Sequence, residues 1–464
     1  MTVNEEQTDY FFSSEELLMA MARPGNVLAA FDQERRCQHQ QQQLHKPQSQ
    51  EGHEAEQRRF CDEQDQHVFA TLLQKHWYPL PTNSLQSKTS SAVHSPGPTK
   101  RYLYHLLKRF VATRVKDEAI ESERLVELLL ETTTPIGSRV LHGAPNPDES
   151  CHLCFRRICG KAQSRLKIRI FPYHNDVALR IWEAGALLAE YLIANPSHIQ
   201  NKRCFELGAG TAVTGLAIIA AGASEVVCSD YTPKSLVNMN YNIAINQEWL
   251  SQVRATISSY HCHDNLSNKI QSPVSPSTVL GGYLDWNKYG KHKEVDDANV
   301  EINDPQENAI NSLVSERATT KFASSTDALS SQYLLSEVKA LQALDGADVL
   351  LAADVIYDPT VIPTLARSVS RFLDSRCSSG NNASKCAIFA TTLRNRDTFA
   401  LFEAELARHD ILVHYIFSSS PITGAGASVS ATTISTSSKL PPVLFPMNFT
   451  QHRQDVRIAV LTKK

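Results

Sequence analysis

The chain has 464 residues, of which 42% are hydrophobic, and its formal net charge at pH 7 is -3. A chain of this length can hold one large domain or a few ordinary ones, and its apolar content is sufficient for a sizeable core. The near-neutral charge provides no overall basic field, which argues against a general binder of nucleic acid or of membrane surfaces.

The first residues are acidic and lack the basic and then apolar pattern of a secretory signal. No window reaches the roughly 18 to 20 apolar residues that a membrane helix needs. We therefore expect a cytoplasmic protein without a membrane partner. Residues 33–65 are rich in Gln, His and charge, which predicts a disordered insert. Two further polar stretches, 287–331 and 418–440, are interpreted as loop insertions.

Helical periodicity follows the first polar insert. The segments HVFATLLQKHW and RYLYHLLKRFVATRV carry apolar residues at helical spacing, so residues 1–150 are predicted to form an N-terminal helical region. Next, Cys151, Cys154 and Cys159 crowd together beside His152, but their spacing fits no common zinc finger. Ten cysteines in the whole chain are too few for a disulfide scaffold. We expect free thiols and no metal.

From about residue 165 onward, short apolar runs alternate with helical patterns. The predicted strands are 203–207, 225–230, 254–260, 348–354, 386–393, 411–417 and 456–463. The predicted helices are 211–221, 232–245, 359–374 and 395–409. Alternating strands and helices predict a parallel sheet covered on both faces. Because no helix separates the last two strands, the last strand is expected to be antiparallel. Residues 165–464 are thus predicted to form an α/β domain with a doubly wound, seven-stranded sheet.

A glycine-rich turn follows the first of these strands, in the stretch RCFELGAGTAVTGLAIIAAGASEVVCSD at 203–230. In a doubly wound sheet, ligands bind beyond the carboxyl ends of the strands. Gly208 and Gly210 permit a tight turn in which a ligand can approach backbone N–H groups closely. Asp230 ends the next strand, where it can accept hydrogen bonds from a ribose diol. Both dinucleotide sites and S-adenosylmethionine sites share these features.

Two details distinguish the two ligands. The dinucleotide pattern G-x-G-x-x-G is incomplete, because Val213 stands at the third glycine position. Glu206 also stands two residues before the first glycine. A carboxylate there would repel a pyrophosphate, whereas it would attract a sulfonium cation and its amino-acid ammonium group. The pattern therefore favours S-adenosylmethionine as the cofactor.

With these motifs, the sequence resembles the seven-β-strand protein methyltransferases, in the branch that modifies lysines of non-histone proteins. Further stretches carry the resemblance: RIWEAGALLAEYL (180–192), YLDW (283–286), AADVIYDP (352–359) with a D-x-x-Y signature, and the closing FPMNF and VRIAVL. It implies a Rossmann-like class I methyltransferase fold, S-adenosyl-L-methionine as methyl donor and a protein lysine as acceptor. LLQKHWYPLP and PTKRYLYHLLKRF are similar to the helical region of the lysine methyltransferases that act on elongation factor 2. That similarity implies elongation factor 2 as the protein substrate.

The resemblance also implies roles for individual residues. Asp354 and Tyr357 would be catalytic and orient the lysine. The donor site would be formed by Trp182, Glu206, Gly208, Ala209, Gly210, Asp230, Trp286 and Ala353. The chain departs from the family in HNDVALRIW, where Asn175 and Asp176 replace a glycine and a threonine.

Three other functions are compatible with parts of the pattern. A nucleic-acid methyltransferase would usually carry N/D/S-P-P-Y/F where this chain has ADVIYDP, and the chain lacks a basic patch. A binding protein on an inactive methyltransferase fold would explain the polar insertions, but the acidic and glycine positions are intact. A dehydrogenase is disfavoured by the incomplete glycine pattern.

Overall fold

The structure is a computed structural model of the full chain. It describes residues 12–44, 63–76, 98–115, 120–133, 144–155, 158, 165–253, 255, 278–289, 333–375, 385–418, 441–446 and 455–464. The chain folds into two compact units. The first contains Met1–Phe155 with Phe171–His174 and Pro446–Asn448, and the second contains Arg156–Ile170, Asn175–Phe445 and Phe449–Lys464.

The first unit is mainly helical. Its elements are α1 (Ser14–Met19), α2 (Pro24–Leu44), α3 (Glu63–His76), α4 (Lys100–Arg114), α5 (Glu123–Thr133) and strand β1 (Cys151–Phe155). Three aromatic rings on separate helices form the centre of its core. Phe69 stacks on Phe110 with centroids 3.8 Å apart, and Phe31 packs edge-on against both. This arrangement buries the apolar stripes of helices α2, α3 and α4 against one another.

One prediction for this unit was wrong: α2 extends through residues 33–44, which the polar composition predicted to be disordered. Tertiary contacts stabilise the helix there. Glu34 accepts hydrogen bonds from the backbone N–H and the hydroxyl of Ser14, both at 2.7 Å. Arg35 forms an ion pair with Asp65 at 2.5 Å. Gln, Arg and Glu are also good helix formers. Together, this propensity and the contacts with neighbouring helices extend α2 beyond its apolar part.

Several predictions fall wholly or mostly outside the described residues. These are the rest of the insert at 45–62, the strand at 254–260, and most of the insertions at 287–331 and 418–440. Cys159 is also outside them, whereas Cys151 and Cys154 are buried and are not joined in disulfides. No group of His, Cys, Asp and Glu suited to a metal occurs among the described residues. Within the same residues, no helix is long and apolar enough to cross a membrane.

The second unit contains an eight-stranded sheet. Its strands are β3 (Arg203–Leu207), β4 (Glu225–Asp230), β5 (Thr278–Tyr283), β6 (Leu334–Leu335), β7 (Val349–Ala353), β8 (Cys386–Thr392), β9 (Ile411–Ser418) and β10 (Val456–Lys463). The order is β6-β5-β4-β3-β7-β8-β10-β9. The strands from β6 to β8 pair in parallel, while β10 pairs antiparallel with both β8 and β9. The predicted α/β class and antiparallel last strand are therefore confirmed.

The sheet contains two strands that the sequence did not predict. These are β5, which lies beside β4, and the two-residue strand β6. The sequence did not predict β5, because its centre is Gly281–Gly282 and glycine is unfavourable in strands. The packing explains these glycines. A Cβ on Gly281 would lie 2.6 Å from Leu334 Cδ2, and one on Gly282 would lie 3.0 Å from Ala340 Cβ. Close packing at the sheet edge therefore overrides strand propensity.

Helices cover both faces of the sheet. They are α6 (Glu183–Ala194), α7 (Val213–Ile218), α8 (Pro233–Ile245), α9 (Trp286–Tyr289), α10 (Glu337–Gly346), α11 (Ile362–Asp374) and α12 (Arg396–Arg408). The first turn of α8 is capped by Thr232, which accepts a hydrogen bond from the N–H of Ser235 at 3.2 Å. The core beneath α11 and α12 includes Phe205, Phe372 and Phe389. The strands are thus fixed with their carboxyl ends at one edge of the sheet.

Strand β2 (Leu166–Ile170) lies along α8 and pairs with its side chains. Asn242 accepts from Arg169 N–H at 2.8 Å, and Asn246 accepts from Lys167 N–H at 2.9 Å. The two carboxamides also donate to the carbonyls of Arg169 and Lys167, respectively. Asn238 extends the row by donating to Arg169 O. Four residues of helix rise about 6 Å and two residues of strand about 6.6 Å, so asparagines four apart match alternate strand residues.

Candidate active site

The turn after β3 requires its two glycines. Gly208 and Gly210 have φ values of +60° and +53°, a backbone conformation that favours glycine. A Cβ on Gly208 would lie 3.3 Å from the ring of Trp286, and one on Gly210 would lie 2.9 Å from the carbonyl oxygen of Ala178. Between them, Ala209 donates its N–H to Ser229 O at 2.8 Å. The turn is therefore enclosed by neighbouring segments and leaves no space for larger side chains.

The Ala178 contact involves the segment in which the sequence departs from the methyltransferases that it resembles. Asp176 accepts a hydrogen bond from Ala178 N–H at 3.0 Å and so caps a short 3₁₀ turn at Val177–Leu179. This turn brings the Ala178 carbonyl against Gly210. The altered segment is therefore ordered by its own cap and packs on the glycine turn.

Asp230 ends β4 beside that turn. Its Oδ2 accepts from Gly210 N–H at 3.0 Å, and its Oδ1 accepts from the N–H groups of Tyr231 and Thr232 at 2.8 and 3.3 Å. Burial raises the pKa of this carboxyl above its ordinary value, although the backbone donors act in the opposite direction. The side chain of Ser235 also lowers this pKa by hydrogen bonding with the carboxylate, and its hydroxyl lies 3.3 Å from Gly210 O. Asp230 thus connects the glycine turn to the start of α8.

Glu206 lies beneath α7. Its Oε2 accepts from Gly215 N–H at 3.1 Å, and it also hydrogen-bonds with the side chains of Thr214 and Cys228. The side chain is only 2% exposed, and burial raises its pKa to about 7. The carboxyl therefore contacts the helix and the adjacent strand and supports the turn from below.

This raised pKa gives a pH-dependent prediction. The folded-state pKa of Glu206 is about 7 against an ordinary 4.5, so the folded protein binds the extra proton between these values. Binding of this proton stabilises the folded state fully below about pH 4.5, and this stabilisation is lost as the pH rises through about 7. We expect the free energy of unfolding to fall over this range in the wild type, and to fall less in Glu206→Gln. Chemical unfolding between pH 5 and 8 measures both slopes. Equal slopes would show that Glu206 ionises in its ordinary range.

Beyond Ala353, the last residue of β7, the chain adopts a left-handed conformation at Asp354, with φ +53°. Asp tolerates this region better than most residues, but it is still uncommon. The Asp354 carboxylate accepts from Thr392 N–H at 2.9 Å, Thr392 Oγ1 at 3.1 Å and Ala184 N–H at 3.3 Å. Arg394 donates to both carboxylate oxygens, at 3.2 and 3.3 Å. Asp354 therefore joins the exits of β7 and β8 to the first turn of α6.

Trp182 immediately precedes α6. Its indole N–H donates to Val177 O at 2.8 Å, and the Arg394 guanidinium lies 5.1 Å from the centre of its ring. Arg394 also donates to Glu183 Oε2 at 2.7 Å. The sequence motifs pointed to neither Arg394 nor Glu183. Arg394 could have been found, because it lies just after the carboxyl end of β8, and functional loops concentrate at the carboxyl ends of the strands.

Tyr357 is 55% exposed and Tyr231 is 49% exposed. Burial of part of the Tyr357 ring raises its pKa, and Tyr231 and the carboxylates of Asp230, Asp358 and Asp176 raise it further. The pKa of Tyr231 is raised by burial and by nearby carboxylates, including the same three. Two exposed aromatic rings and several negative charges therefore lie together, which is a suitable surface for a cationic group.

All ten residues that the sequence singled out lie at the carboxyl ends of β3, β4 and β7 or in the segments that pack there. The glycine turn directly contacts Asp230 and Trp286, and Asp354 contacts the helix that follows Trp182. Ala353 Cβ lies 3.8 Å from the position that a Cβ would take on Gly185 in α6. Glu206 differs from the others because its carboxyl lies beneath α7.

Known proteins are similar to parts of this chain. Residues 161–279 match the family model described as lysine methyltransferase. An uncharacterized protein of Dictyostelium discoideum is 22% identical over 364 residues, covering 75% of this chain and 83% of that protein. Protein-lysine N-methyltransferase EEF2KMT of Mus musculus is 23% identical over 318 residues, covering 68% of this chain and 71% of that enzyme.

Two further matches are more limited. The protein N-terminal and lysine N-methyltransferase efm7 of Schizosaccharomyces pombe is 29% identical over 133 residues, which cover 26% of this chain and only 51% of that protein. Among solved structures, ribosomal protein L11 methylase of Lactobacillus delbrueckii subsp. bulgaricus has a TM-score of 0.26 and 11% identity, covering 60% of this chain and 77% of that one.

Proposed function

Because the chain contains a lysine methyltransferase domain that uses S-adenosylmethionine, we propose that it methylates a lysine of translation elongation factor 2. The observation that carries the chemical part of this proposal is the enclosed glycine turn with Asp230 at its side, next to two exposed tyrosines among carboxylates. The substrate is inferred from the relatives and from the N-terminal segments.

The donor side of the site fits the cofactor. Gly208 and Gly210 carry no side chains, so the turn can form a donor cradle in which the cofactor approaches the backbone directly. A carboxylate oxygen has two lone pairs, so Asp230 Oδ2, which accepts from Gly210 N–H, can also accept from a ribose hydroxyl. Trp286 packs against Gly208 and would form an apolar wall of the donor cradle.

Glu206 would act through the protein. Its hydrogen bond to Gly215 N–H fixes the first turn of α7 directly after the glycine turn. Its buried carboxyl would also add a negative potential beneath the cationic end of the donor when ionised. Glu206 is therefore proposed as a support of the donor site, acting without direct contact.

When bound, S-adenosylmethionine supplies an electrophilic methyl group on a sulfonium, and the neutral amine of a lysine accepts it. A free lysine has a pKa near 10.4, so the site must favour the neutral amine. Partial burial between Tyr357 and Ala353 would lower that pKa. The carboxylates of Asp176 and Asp358 would first attract the lysine as a cation. Asp354 would fix the loop that carries Tyr357, so most of the rate enhancement would come from positioning.

The choice of elongation factor 2 is supported by the match to EEF2KMT, which extends beyond the methyltransferase domain. That match covers 318 residues, whereas the family model covers only 161–279. The N-terminal segments that resemble the corresponding region of elongation factor 2 methyltransferases belong to the first unit. A translation factor as substrate would also place the enzyme in the cytoplasm.

Labelled methyl transfer tests this proposal. The purified chain is incubated with radiolabelled S-adenosylmethionine and either purified elongation factor 2 or a whole-cell extract. We expect one labelled band at elongation factor 2, and acid hydrolysis should yield methylated lysine. Label should be lost with Asp354→Ala and retained with Asp410→Ala, whose side chain is 74% exposed at a distant turn.

Each other outcome has a definite meaning. Label on a different protein would reject elongation factor 2 but keep protein-lysine methylation. Label on RNA would support the nucleic-acid alternative. No label, together with thermal stabilisation by S-adenosylhomocysteine, would indicate a non-catalytic binding protein on this fold.

A further inference from the structure

Arg394 contacts Asp354, Glu183 and Trp182, of which the sequence singled out only Asp354 and Trp182. Its guanidinium donates to both oxygens of Asp354, donates to Glu183 at 2.7 Å, and lies over the ring of Trp182. Its side chain is 45% exposed, while those of Asp354 and Glu183 are 5% and 14% exposed. A partly exposed cation thus holds two largely buried carboxylates and an aromatic ring.

The hydrogen bonds at Asp354 show why this matters. A carboxylate has about four acceptor positions, and Asp354 receives five hydrogen bonds from Thr392, Ala184 and Arg394. These donors from the described part of the chain fill the acceptor positions, so none is left for a lysine amine. Asp354 therefore acts on the loop that follows it and not as a direct partner of the substrate.

That loop carries Tyr357, and it begins with Asp354 at φ +53°. A non-glycine residue in this conformation persists only where surrounding contacts overdetermine it. Arg394 supplies two of the five contacts, and they are the charged ones, which are stronger than neutral hydrogen bonds. Without Arg394, Asp354 would retain its three neutral donors, and the path of the loop toward Tyr357 would be less restricted.

From these contacts, and resting on the function proposed above, we propose that Arg394 is a positioning residue for methyl transfer, which fixes the D-x-x-Y loop on the acceptor side of the site. The donor cradle depends on other groups, since Asp230 holds Gly210 directly. Trp182 keeps its separate hydrogen bond to Val177. Arg394 should thus affect transfer much more than donor binding.

Arginine suits this position better than lysine. The planar guanidinium can donate in parallel to both Asp354 oxygens, still reach Glu183, and lie over the ring of Trp182. A lysine would keep the charge but could not make all of these contacts at once. Loss of geometry and loss of charge can therefore be separated by substitution.

The test compares Arg394→Ala, Arg394→Lys and the wild type in the full chain. The matched control is Arg396→Ala, an exposed arginine two residues later. Labelled methyl transfer to protein gives kcat and the KM for the acceptor, and titration calorimetry with S-adenosylhomocysteine gives the donor-site Kd. We expect Arg394→Ala to lower kcat about 10- to 100-fold, with the Kd and the acceptor KM each within about threefold.

Two further readouts separate positioning from a general structural role. Arg394→Lys should recover only part of kcat. Adding about 10 mM guanidinium chloride should partly restore kcat in Arg394→Ala, because a free guanidinium can occupy the space between Asp354 and Trp182. Arg396→Ala should match the wild type in every measurement.

Three results would overturn the inference: an unchanged kcat in Arg394→Ala, a loss of donor affinity as large as the loss of kcat, or full recovery by lysine without any guanidinium rescue. The acceptor can be whichever protein is labelled in the extract. Failure of the wild type to label elongation factor 2 would therefore reject that substrate alone. A wild type that labels no protein would reject both proposals.

Discussion

Asp230→Asn is expected to weaken S-adenosylhomocysteine binding by about 10- to 100-fold. The carboxylate accepts from the N–H groups of Gly210, Tyr231 and Thr232. An asparagine replaces one of its oxygens with an NH₂ group, which cannot accept from these donors or from a ribose hydroxyl. Hydrogen bonds to charged groups contribute about 1.5–3 kcal/mol each, so losing one accounts for an effect of this size. Titration calorimetry measures the Kd directly.

The control for this measurement is the same substitution at Asp410, which is exposed and follows α12. Asp410→Asn should bind S-adenosylhomocysteine within about twofold of wild type. Circular dichroism should show that both variants are folded. Normal binding by a folded Asp230→Asn would disprove the assignment of Asp230 to the ribose.

Gly215→Ala is expected to lower the thermal unfolding midpoint by roughly 5–10 °C, although alanine is the better helix former. The added Cβ would lie 2.2 Å from Cys228 Sγ, 3.1 Å from Val226 Cγ1 and 3.2 Å from Glu206 Oε2. The first distance is far inside van der Waals contact, and Cys228 is completely buried on β4. Helix α7 must therefore move away from the sheet. Differential scanning calorimetry checks the midpoint.

The structure also supplies the compensating change. Cys228→Ala removes the sulfur atom that the new Cβ would meet, and the remaining distances of 3.1 and 3.2 Å are tight but tolerable. The double variant Gly215→Ala/Cys228→Ala should unfold at a higher temperature than Gly215→Ala alone. If Cys228→Ala only adds its own destabilisation, the two sites are independent, and the close contact is not the cause.

The class of fold could be predicted from the sequence because apolar runs alternate with helical patterns over most of the second unit. The strands at 203–207, 225–230 and 456–463 were found with correct or nearly correct bounds, since each is almost fully apolar or ends in a marked motif. The same reasoning brought Gly208, Gly210 and Asp230 together, because parallel strands end at one edge. These features depend on local pattern and on the general geometry of parallel sheets.

What the sequence could not supply depends on contacts between distant residues. Strand β5 could not be predicted from its local sequence. Its glycines at 281 and 282 are explained by close packing, and Leu334, which packs on Gly281, lies more than fifty positions later in the chain. Polar helix α2 continues because Glu34 and Arg35 find partners on other helices. Arg394 has no motif of its own, and its role follows from Asp354, forty residues earlier.

The row of asparagines on α8 (Asn238, Asn242 and Asn246) determines which partners the backbone of β2 can bind along one edge. A strand whose backbone is unpaired along one edge can recruit a strand from another chain. Here, the N–H groups of Lys167 and Arg169 are taken by Asn246 and Asn242 on a helix of the same chain. A helix cannot be extended sideways by further strands as a sheet can. Along the edge that faces α8, the row therefore ends strand addition and protects the chain from edge-to-edge aggregation.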